Sequence, residues 1–281
     1  MIYFWQERNN HSWSMNSLYK VLSTSKQAFH QCLNLLLKQG EEQAQLLPLV
    51  RELRQEHPGM SSRQIYGLIR PETMGRDRFE AFCHRHGFLV EVKRSFHKTT
   101  NSLGVTRFEN LVEGRELTGV NQVWVSDITY YRIGEAFYYL SFIMDLYSRR
   151  ILGYSSSHSL RTIHTTLPAM VMAIQVRKGI GLKGLIMHSD GGGQYYAKKF
   201  LALTKDHKIL NSMAESVYEN ANAERVNGTI KNYYLAGYKP QDYKQLKQML
   251  ERAVKNYNNI RPHSALNGLS PLSFEDKKVN T

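Results

Sequence analysis

Two aspartates of this chain stand in surroundings where an ordinary structural role would be costly. Asp127 follows Trp124 and Val125 inside an apolar run, and a carboxylate there is unfavourable unless it lies at an edge, is paired or binds a cation. Asp190 ends another apolar run, directly before the three glycines 191–193. Ligands sit at strand ends in open sheets, and glycine lets a backbone approach closely. Both positions therefore predict contact with a ligand.

A third carboxylate and a lysine share one predicted helix. Glu224 is early in that helix, and Lys231 follows two turns later on the same face. Three carboxylates on separate elements fit a pair of hard divalent cations bound through oxygen. Such a pair activates a water or a 3′-hydroxyl and stabilises the leaving oxygen of a phosphodiester. Spacing alone also allows the ordinary alternative, because an isolated strand aspartate is often an edge residue or a turn former.

The elements that must position these residues begin at residue 121, where β-branched and aromatic residues become frequent. The pattern predicts five strands and four helices in the order β-β-β-α-β-α-β-α-α. The predicted strands are 123–131, 136–145, 151–157, 184–189 and 209–213, and the predicted helices are 162–177, 196–207, 220–235 and 243–257. This order predicts an α/β domain with a mixed sheet covered by helices.

The first 100 residues predict helices instead. Helical spacing covers 14–37, with a break near Ser23 and Ser25, and then 41–55. Two short helices, 61–70 and 76–86, flank a turn that contains Pro71 and Gly75, which is typical of a helix-turn-helix. Its candidate phosphate or base contacts are Arg63, Arg70, Arg76 and Arg78. A solvated helix face explains each of these arginines equally well.

Composition narrows the class of protein. The 281 residues carry a net charge of +13, and residues 119–281 hold +9 of it, which favours a polyanionic partner such as nucleic acid. No apolar run approaches the roughly 18 residues of a membrane span. The N-terminus has no secretory-signal pattern, and Cys32 and Cys83 are too few for a disulfide framework or a cysteine-rich zinc site. We therefore expect a cytoplasmic location without a membrane partner.

Four ordered segments resemble a known family. Residues 121–131, 188–196, 219–231 and 257–275 are similar to bacterial insertion-sequence transposases, specifically the catalytic second reading frame of the two-frame type, whose core is shared with retroviral integrases. Residues 139–154 resemble the second and third strands of that core. The helix-turn-helix region also resembles the family, so the resemblance covers about residues 45 to 275.

The resemblance implies a ribonuclease-H-like fold and a D-D-E triad that falls on Asp127, Asp190 and Glu224. This triad would bind two Mg²⁺ or Mn²⁺ ions, and Lys231 falls on the family's basic residue, a phosphate contact at the active site. Further candidate DNA contacts in matching motifs are His188, Gln194, Tyr195, Arg261 and His263. For the last two, a structural role in closing the C-terminal helix is the alternative.

The chain departs from the family pattern at two points. Only 33 residues separate Asp190 from Glu224, whereas the family usually has 35, and the missing two fall before Tyr218. We expect a shortened surface loop and an intact triad. Tyr233 also replaces a glutamate that the family often has.

These observations predict five segments and one leading function. The segments are an N-terminal helical part (1–44), a helix-turn-helix region (45–97), a linker (98–118), an integrase catalytic core (119–237) and a C-terminal helix and tail (238–281). The leading function is a DNA transposase that cuts and joins strands. A nuclease that cuts without joining and a catalytically silent DNA-binding regulator are the alternatives. Expected partners are double-stranded DNA of the element ends and target, further copies of the chain on DNA and the upstream reading-frame product, at the bacterial nucleoid.

Overall fold

The structure, a computed structural model, describes residues 7, 14–90, 108–214 and 220–279. It divides into two units. One comprises Met1–Arg54 and Ser61–Leu89, and the other Gln55–Met60 and Val90–Thr281. The shortened loop before Tyr218 and residues 98–107 of the predicted linker lie outside the described residues. None of the helices in the described part of the chain is long and apolar enough to cross a membrane.

The first unit is helical. Its helices are α1 (Met15–Val21), α2 (Lys26–Glu56, whose last two residues belong to the second unit), α3 (Ser62–Ile69) and α4 (Arg76–Arg85). The predicted break is present between α1 and α2, where Ser23 has a φ of 49° and the Ser25 hydroxyl accepts the Ala28 amide at 3.0 Å.

The prediction of a separate helix over 41–55 is wrong, because α2 continues through Gly40 and Pro48 to Glu56. A helical glycine costs about 1 kcal/mol relative to alanine, which good helix formers on both sides of Gly40 outweigh. The boundary predicted between residues 44 and 45 falls inside this helix.

The two short helices α3 and α4 occur where the helix-turn-helix pattern predicts them. Ser61 begins α3 with a capping box, since its hydroxyl accepts the Gln64 amide at 3.3 Å and the Gln64 side chain accepts the Ser61 amide at 3.1 Å. Ile65 and Phe79 are fully buried within this unit. The pair therefore forms a small helical body with its own core.

The second unit is built on a five-stranded sheet. Its strands are β1 (Val123–Ile133), β2 (Ala136–Asp145), β3 (Ile151–Ser157), β4 (Ile186–Ser189) and β5 (Leu210–Met213). Their order across the sheet is β3-β2-β1-β4-β5. The β1–β2 and β2–β3 pairs are antiparallel, and the β1–β4 and β4–β5 pairs are parallel. The predicted mixed sheet is therefore confirmed, with every strand at its expected place.

Helices cover both faces of the sheet. They are α5 (Thr166–Val176), α6 (Lys198–Asp206), α7 (Ala221–Gly228), a π-helical segment (Thr229–Leu235), α8 (Ala236–Tyr238), α9 (Tyr243–Asn259) and α10 (Pro271–Val279). Short 3₁₀ turns cover Thr162–His164, Gly193–Tyr196 and Ser264–Leu266. The prediction of one α-helix over 220–235 is wrong in its second half, where the backbone forms the π-helical segment. The helix α10 was not predicted.

Strand alternation sends β1 side chains into two separate cores. Val123 and Val125 pack with α7, the π-helical segment and α9, whereas Trp124 packs with α5 and α6. At Gly153 of β3 the α5 helix approaches so closely that an added Cβ would collide with the Ala169 carbonyl oxygen. By the same alternation Asp127 belongs to the α7 face, and Ser126 to the α5–α6 face.

The last helix, α10, is anchored through one buried carboxylate. Glu275 accepts hydrogen bonds from Ser148 Oγ at 2.6 Å, Arg150 Nη1 at 2.6 Å and Arg177 Nη1 at 2.9 Å. These partners lie between β2 and β3 and after α5. The C-terminal helix therefore packs onto the domain through an ionic network centred on Glu275.

Candidate active site

Asp127 and Asp190 lie at the same level of two neighbouring strands. The parallel β1–β4 pair places Ser126 opposite Ser189, and each aspartate is the next residue along. Asp127 is inside β1, whereas Asp190 follows the last residue of β4. The sheet therefore brings together two of the three carboxylates predicted from the sequence.

Asp127 is held by two hydrogen bonds in a costly environment. Its Oδ1 accepts the Ile128 amide at 2.8 Å and its Oδ2 accepts Asn227 Nδ2 at 2.7 Å. Burial, together with the negative charges of Asp190 and Glu224, raises the pKa of Asp127 to about 7. A group in this state gains from a nearby cation.

Asp190 is more open. Its Oδ1 accepts the Gly192 amide at 3.2 Å, and the residue is exposed where the strand ends. The protein around the carboxylate still removes enough water to raise its pKa. Neither aspartate forms an ion pair with a lysine or arginine within the described residues.

The α7 helix brings the third carboxylate to this edge. Two asparagine side chains join it to β1: Asn220 Nδ2 donates to the Ser126 carbonyl at 3.1 Å, and Asn227 Nδ2 donates to Asp127. Glu224 lies between them in sequence, exposed, and its charge contributes to the raised pKa of Asp127. Sequence reasoning missed Asn227, although its position three residues after Glu224 places both on one side of a helix.

The donor chemistry of this edge fits hard divalent cations. All three side chains offer carboxylate oxygens, the ligands that Mg²⁺ and Mn²⁺ prefer, and their mutual repulsion is what a bound cation relieves. In the described part of the chain no three His, Cys, Asp or Glu side chains converge closely enough to hold one ion. Glu224, being exposed, is the carboxylate with freedom to move.

Lys231 lies beside the carboxylates, in the π-helical segment. Its Nζ donates to Thr129 Oγ1 at 3.3 Å and lies 5.0 Å from the centre of the Tyr130 ring. Burial lowers the pKa of Lys231, and the negative charge of Asp127 opposes that shift. The structure thus places Lys231 close to Asp127, although in a π-helical segment rather than in the predicted α-helix. Such π-helical turns occur often at functional sites.

Comparisons with known proteins agree with this geometry. Two family profiles, both described as "Integrase core domain", match residues 118–217 and 206–271. The "Insertion element IS600 uncharacterized 31 kDa protein" of Shigella sonnei is 31% identical over 253 residues, which cover 85% of this chain and 89% of that protein. "Transposase InsF for insertion sequence IS3A" of Escherichia coli (strain K12) is 32% identical over 208 residues, covering 71% and 70%.

This chain belongs to the insertion-sequence transposases with an integrase core. The fold agrees with that of a chain in the "CryoEM structure of simian T-cell lymphotropic virus intasome in complex with PP2A regulatory subunit B56 gamma". That match has a TM-score of 0.54 at 13% identity and covers 80% of this chain and 71% of the other. The predicted family and the ribonuclease-H-like fold are therefore confirmed.

Three residues predicted as DNA contacts of the transposase lie within or against the core instead. His188 is buried, with its Nδ1 hydrogen bonded to Ser212 Oγ at 3.0 Å. Tyr195 is 3% exposed, and its hydroxyl is 2.9 Å from Ser126 Oγ. Gln194 is half-buried, and its Nε2 donates to the Leu160 carbonyl at 3.3 Å. Because His188 and Tyr195 are buried, their side chains support the strands that carry Asp127 and Asp190 from beneath, and their placement does not support the predicted DNA contact.

Arg261 and His263 also point inward. Arg261 is 8% exposed, with its guanidinium 5.3 Å from the Tyr233 ring centre. His263 is half-buried with its ring 4.7 Å from that of Tyr257. Burial, together with the charge of Arg261, lowers the pKa of His263 to about 4. Both residues close the end of α9.

The four arginines of the helix-turn-helix remain on the surface of the first unit. Arg63 pairs with Glu80 at 2.8 Å and Arg76 with Asp77 at 2.9 Å. Arg78 Nη2 donates to Gln39 Oε1 at 3.2 Å, and Arg70 Nε donates to the Gly67 carbonyl at 3.3 Å. Exposed pairs of this kind contribute about 0–1 kcal/mol, so they are easily exchanged for phosphate contacts.

Proposed function

We propose that this transposase binds the ends of its element and cuts and joins DNA strands at the edge formed by Asp127 and Asp190. The observation that carries the proposal is the register of β1 and β4, which sets Asp127 beside Asp190, with Glu224 near enough to help raise the pKa of Asp127. Perturbed carboxylates of this kind cluster at catalytic sites. Family membership supports strand transfer over other reactions.

The proposed ligands of two divalent ions, Mg²⁺ or Mn²⁺, are Asp127, Asp190 and Glu224. When bound, such ions would activate the attacking oxygen and stabilise the leaving oxygen of a phosphodiester. Glu224 would complete the set by a change of side-chain conformation, because it is exposed. Asn227 would hold Asp127 in position through its bond to Oδ2.

The proposed reaction has two displacements at phosphorus. Water attacks at the element end, and its bond to phosphorus forms as the bond to the 3′-oxygen breaks, which leaves a 3′-hydroxyl. That hydroxyl then attacks a phosphodiester of the target, and one strand bond again replaces another, so ATP is not required. Lys231, beside Asp127, would contact a phosphate oxygen of the reacting strand.

The remaining parts of the proposal concern partners and place. The helix-turn-helix of α3 and α4, with its exposed arginines, would recognise the element ends, while the core receives the target. Several copies would act together on DNA, joined where needed by the upstream reading-frame product. The site of action would be the nucleoid in the bacterial cytoplasm.

The test uses a duplex that carries a pre-cut element end with a free 3′-hydroxyl, target DNA and Mg²⁺. The wild type should yield joined product, whereas Asp127→Asn and Glu224→Gln should lose at least about 100- to 1,000-fold, the scale for removing one transition-state contact. Asp206→Asn, at an exposed carboxylate, is the matched control.

Other outcomes separate the alternatives. Cutting without joining would identify a nuclease. DNA binding without either reaction, in the wild type and the variants alike, would identify a silent regulator. Joined product from Asp127→Asn would contradict the triad assignment.

A further inference from the structure

Three arginines lie within electrostatic reach of Tyr257, close to α7, and we refer to Arg149, Arg225 and Arg261 as the arginine cluster. Arg149 lies in the turn between β2 and β3, Arg225 is next to Glu224 on α7, and Arg261 follows the end of α9. No residue of the cluster forms an ion pair with a carboxylate among the described residues. Within the described residues, the three positive charges therefore have no carboxylate at ion-pair distance.

Arg149 and Arg225 meet on one side of α7. Arg149 Nη1 donates to Asn222 Oδ1 at 2.6 Å, and Asn222 lies three residues before Arg225, so the two face the same way on the helix. Arg149 also has a φ of 62°, a left-handed conformation that suits glycine or asparagine better than arginine. The backbone alone does not favour an arginine here, so the reason for one lies in its side chain.

Arg261 completes the cluster from the other side. Its guanidinium lies 5.3 Å and 6.0 Å from the ring centres of Tyr233 and Tyr234. Although the residue is only 8% exposed, its Nη1 has no hydrogen-bond partner within the described part of the chain. A buried guanidinium donor without an acceptor is costly.

Tyr257 and His263 lie close to the cluster. Their rings are 4.7 Å apart, and Asn258, next to Tyr257, bonds both the amide and the carbonyl of Ile151, at 2.9 and 2.8 Å. The end of α9 is thereby fixed two residues from Arg149. Burial raises the pKa of Tyr257, and all three arginines reach it electrostatically to oppose that shift.

We propose that the arginine cluster binds a phosphate of the DNA backbone, at a site separate from the three carboxylates. Guanidinium groups suit phosphate oxygens because their planar donors bind two oxygens at once. Exposed Arg225 and neighbouring Arg149 would contact the phosphate directly, and buried Arg261 would add positive charge behind them. The inference rests on the proposed function only in taking DNA as the substrate. Because Arg225 adjoins Glu224, the bound phosphate would hold a strand alongside the reacting bond.

The experiment measures the affinity of the full chain for a 30-base-pair duplex over a series of salt concentrations, without metal. Each phosphate neutralised contributes about 0.9 to the slope of log K against log salt. The double variant Arg149→Gln/Arg225→Gln should make the slope less steep by about that amount. The matched double variant Lys205→Gln/Lys208→Gln, which removes two exposed charges around the end of α6, should retain the wild-type slope.

A thermal melt first confirms that each variant folds, and if the double variant is destabilised, exposed Arg225→Gln alone decides. An unchanged slope for the cluster variant, or an equal change for the lysine control, would overturn the inference. Complete absence of DNA binding by the wild type would instead count against the proposed function itself. The two failures are therefore distinguishable.

Discussion

Two neighbouring regions of the second unit have opposite imbalances of charge. One is the carboxylate edge, formed by Asp127, Asp190 and Glu224, and the other is the arginine cluster; each includes a residue of α7. At the edge, burial and two other carboxylates raise the pKa of Asp127 to about 7. In the arginine cluster, Arg261 is buried and its Nη1 has no hydrogen-bond partner within the described residues. The pKa of nearby His263 is lowered to about 4. The first region needs positive charge and the second needs negative charge.

Both regions differ from the surroundings of Glu275, a buried carboxylate of the second unit whose charge is matched. Two arginines and a serine donate hydrogen bonds to its oxygens. Folded proteins keep local conflicts mainly where function requires them. A metal ion at the carboxylate edge and a phosphate at the arginine cluster would each supply the missing charge.

The largest effect is expected when the charge of Asp127 is removed from the metal-free chain. The folded pKa of about 7 exceeds the ordinary value of 3.8, so the folded state binds more protons and stability falls as pH rises from about 4 to 7. At about 1.4 kcal/mol per pKa unit, Asp127→Asn should be more stable than the wild type at pH 8 by up to about 4 kcal/mol.

Urea unfolding at pH 5 and pH 8 measures this difference, with Asp206→Asn as the control. Added Mg²⁺ should stabilise the wild type at pH 8 and have little effect on Asp127→Asn. Equal pH dependence of the unfolding free energy in the wild type and in Asp127→Asn would show that the charged Asp127 carboxylate does not destabilise the folded state.

The second effect concerns a histidine near the arginine cluster, and here stability falls as pH decreases rather than as pH increases. His57 is fully buried, with its Nδ1 2.9 Å from the Tyr234 hydroxyl, and burial together with Arg261 lowers its pKa to about 4 from 6.5. Stability should therefore fall as pH drops from 6.5 to 4, by at most about 3 kcal/mol from this group. His57→Gln should flatten that part of the profile in urea unfolding, and exposed His207→Gln should not.

A smaller effect is expected at Asn227, which positions Asp127. A hydrogen bond to a charged group contributes about 1.5–3 kcal/mol, so Asn227→Ala should reduce strand joining by roughly 10- to 100-fold. Affinity for end DNA should not change, because the side chain is buried beneath the edge. The control is Asn232→Ala, at an exposed position of the π-helical segment that follows α7. Full activity of Asn227→Ala would remove this residue from the site.

The smallest effect is expected at Tyr195. Tyr195→Phe removes the buried hydroxyl bonded to Ser126 and should cost about 1 kcal/mol of stability. DNA affinity and its salt slope should match the wild type. A weaker affinity, measured by the same duplex titration, would return Tyr195 to the DNA surface.

Local patterns predicted the sheet closely because alternation and strand propensity are short-range properties. The three antiparallel strands begin at the predicted residues. The Asp127–Asp190 pair follows from the parallel register of β1 and β4. The π-helical segment around Lys231 and the burial of His188 and Tyr195 depend on packing partners far away in sequence. The arginine cluster is of the same kind, since it joins residues 149, 225 and 261.

The most direct measurement of the central claim is the number of protons released when Mg²⁺ binds the carboxylate edge. Isothermal titration calorimetry at pH 6.5, in two buffers of different ionisation enthalpy, gives this number. With a pKa of about 7, Asp127 is largely protonated at that pH, and metal ligands must lose their protons. The account predicts that the wild type releases more protons than Asp127→Asn. Mg²⁺ binding with equal proton release in both proteins, or no Mg²⁺ binding by the wild type, would contradict it.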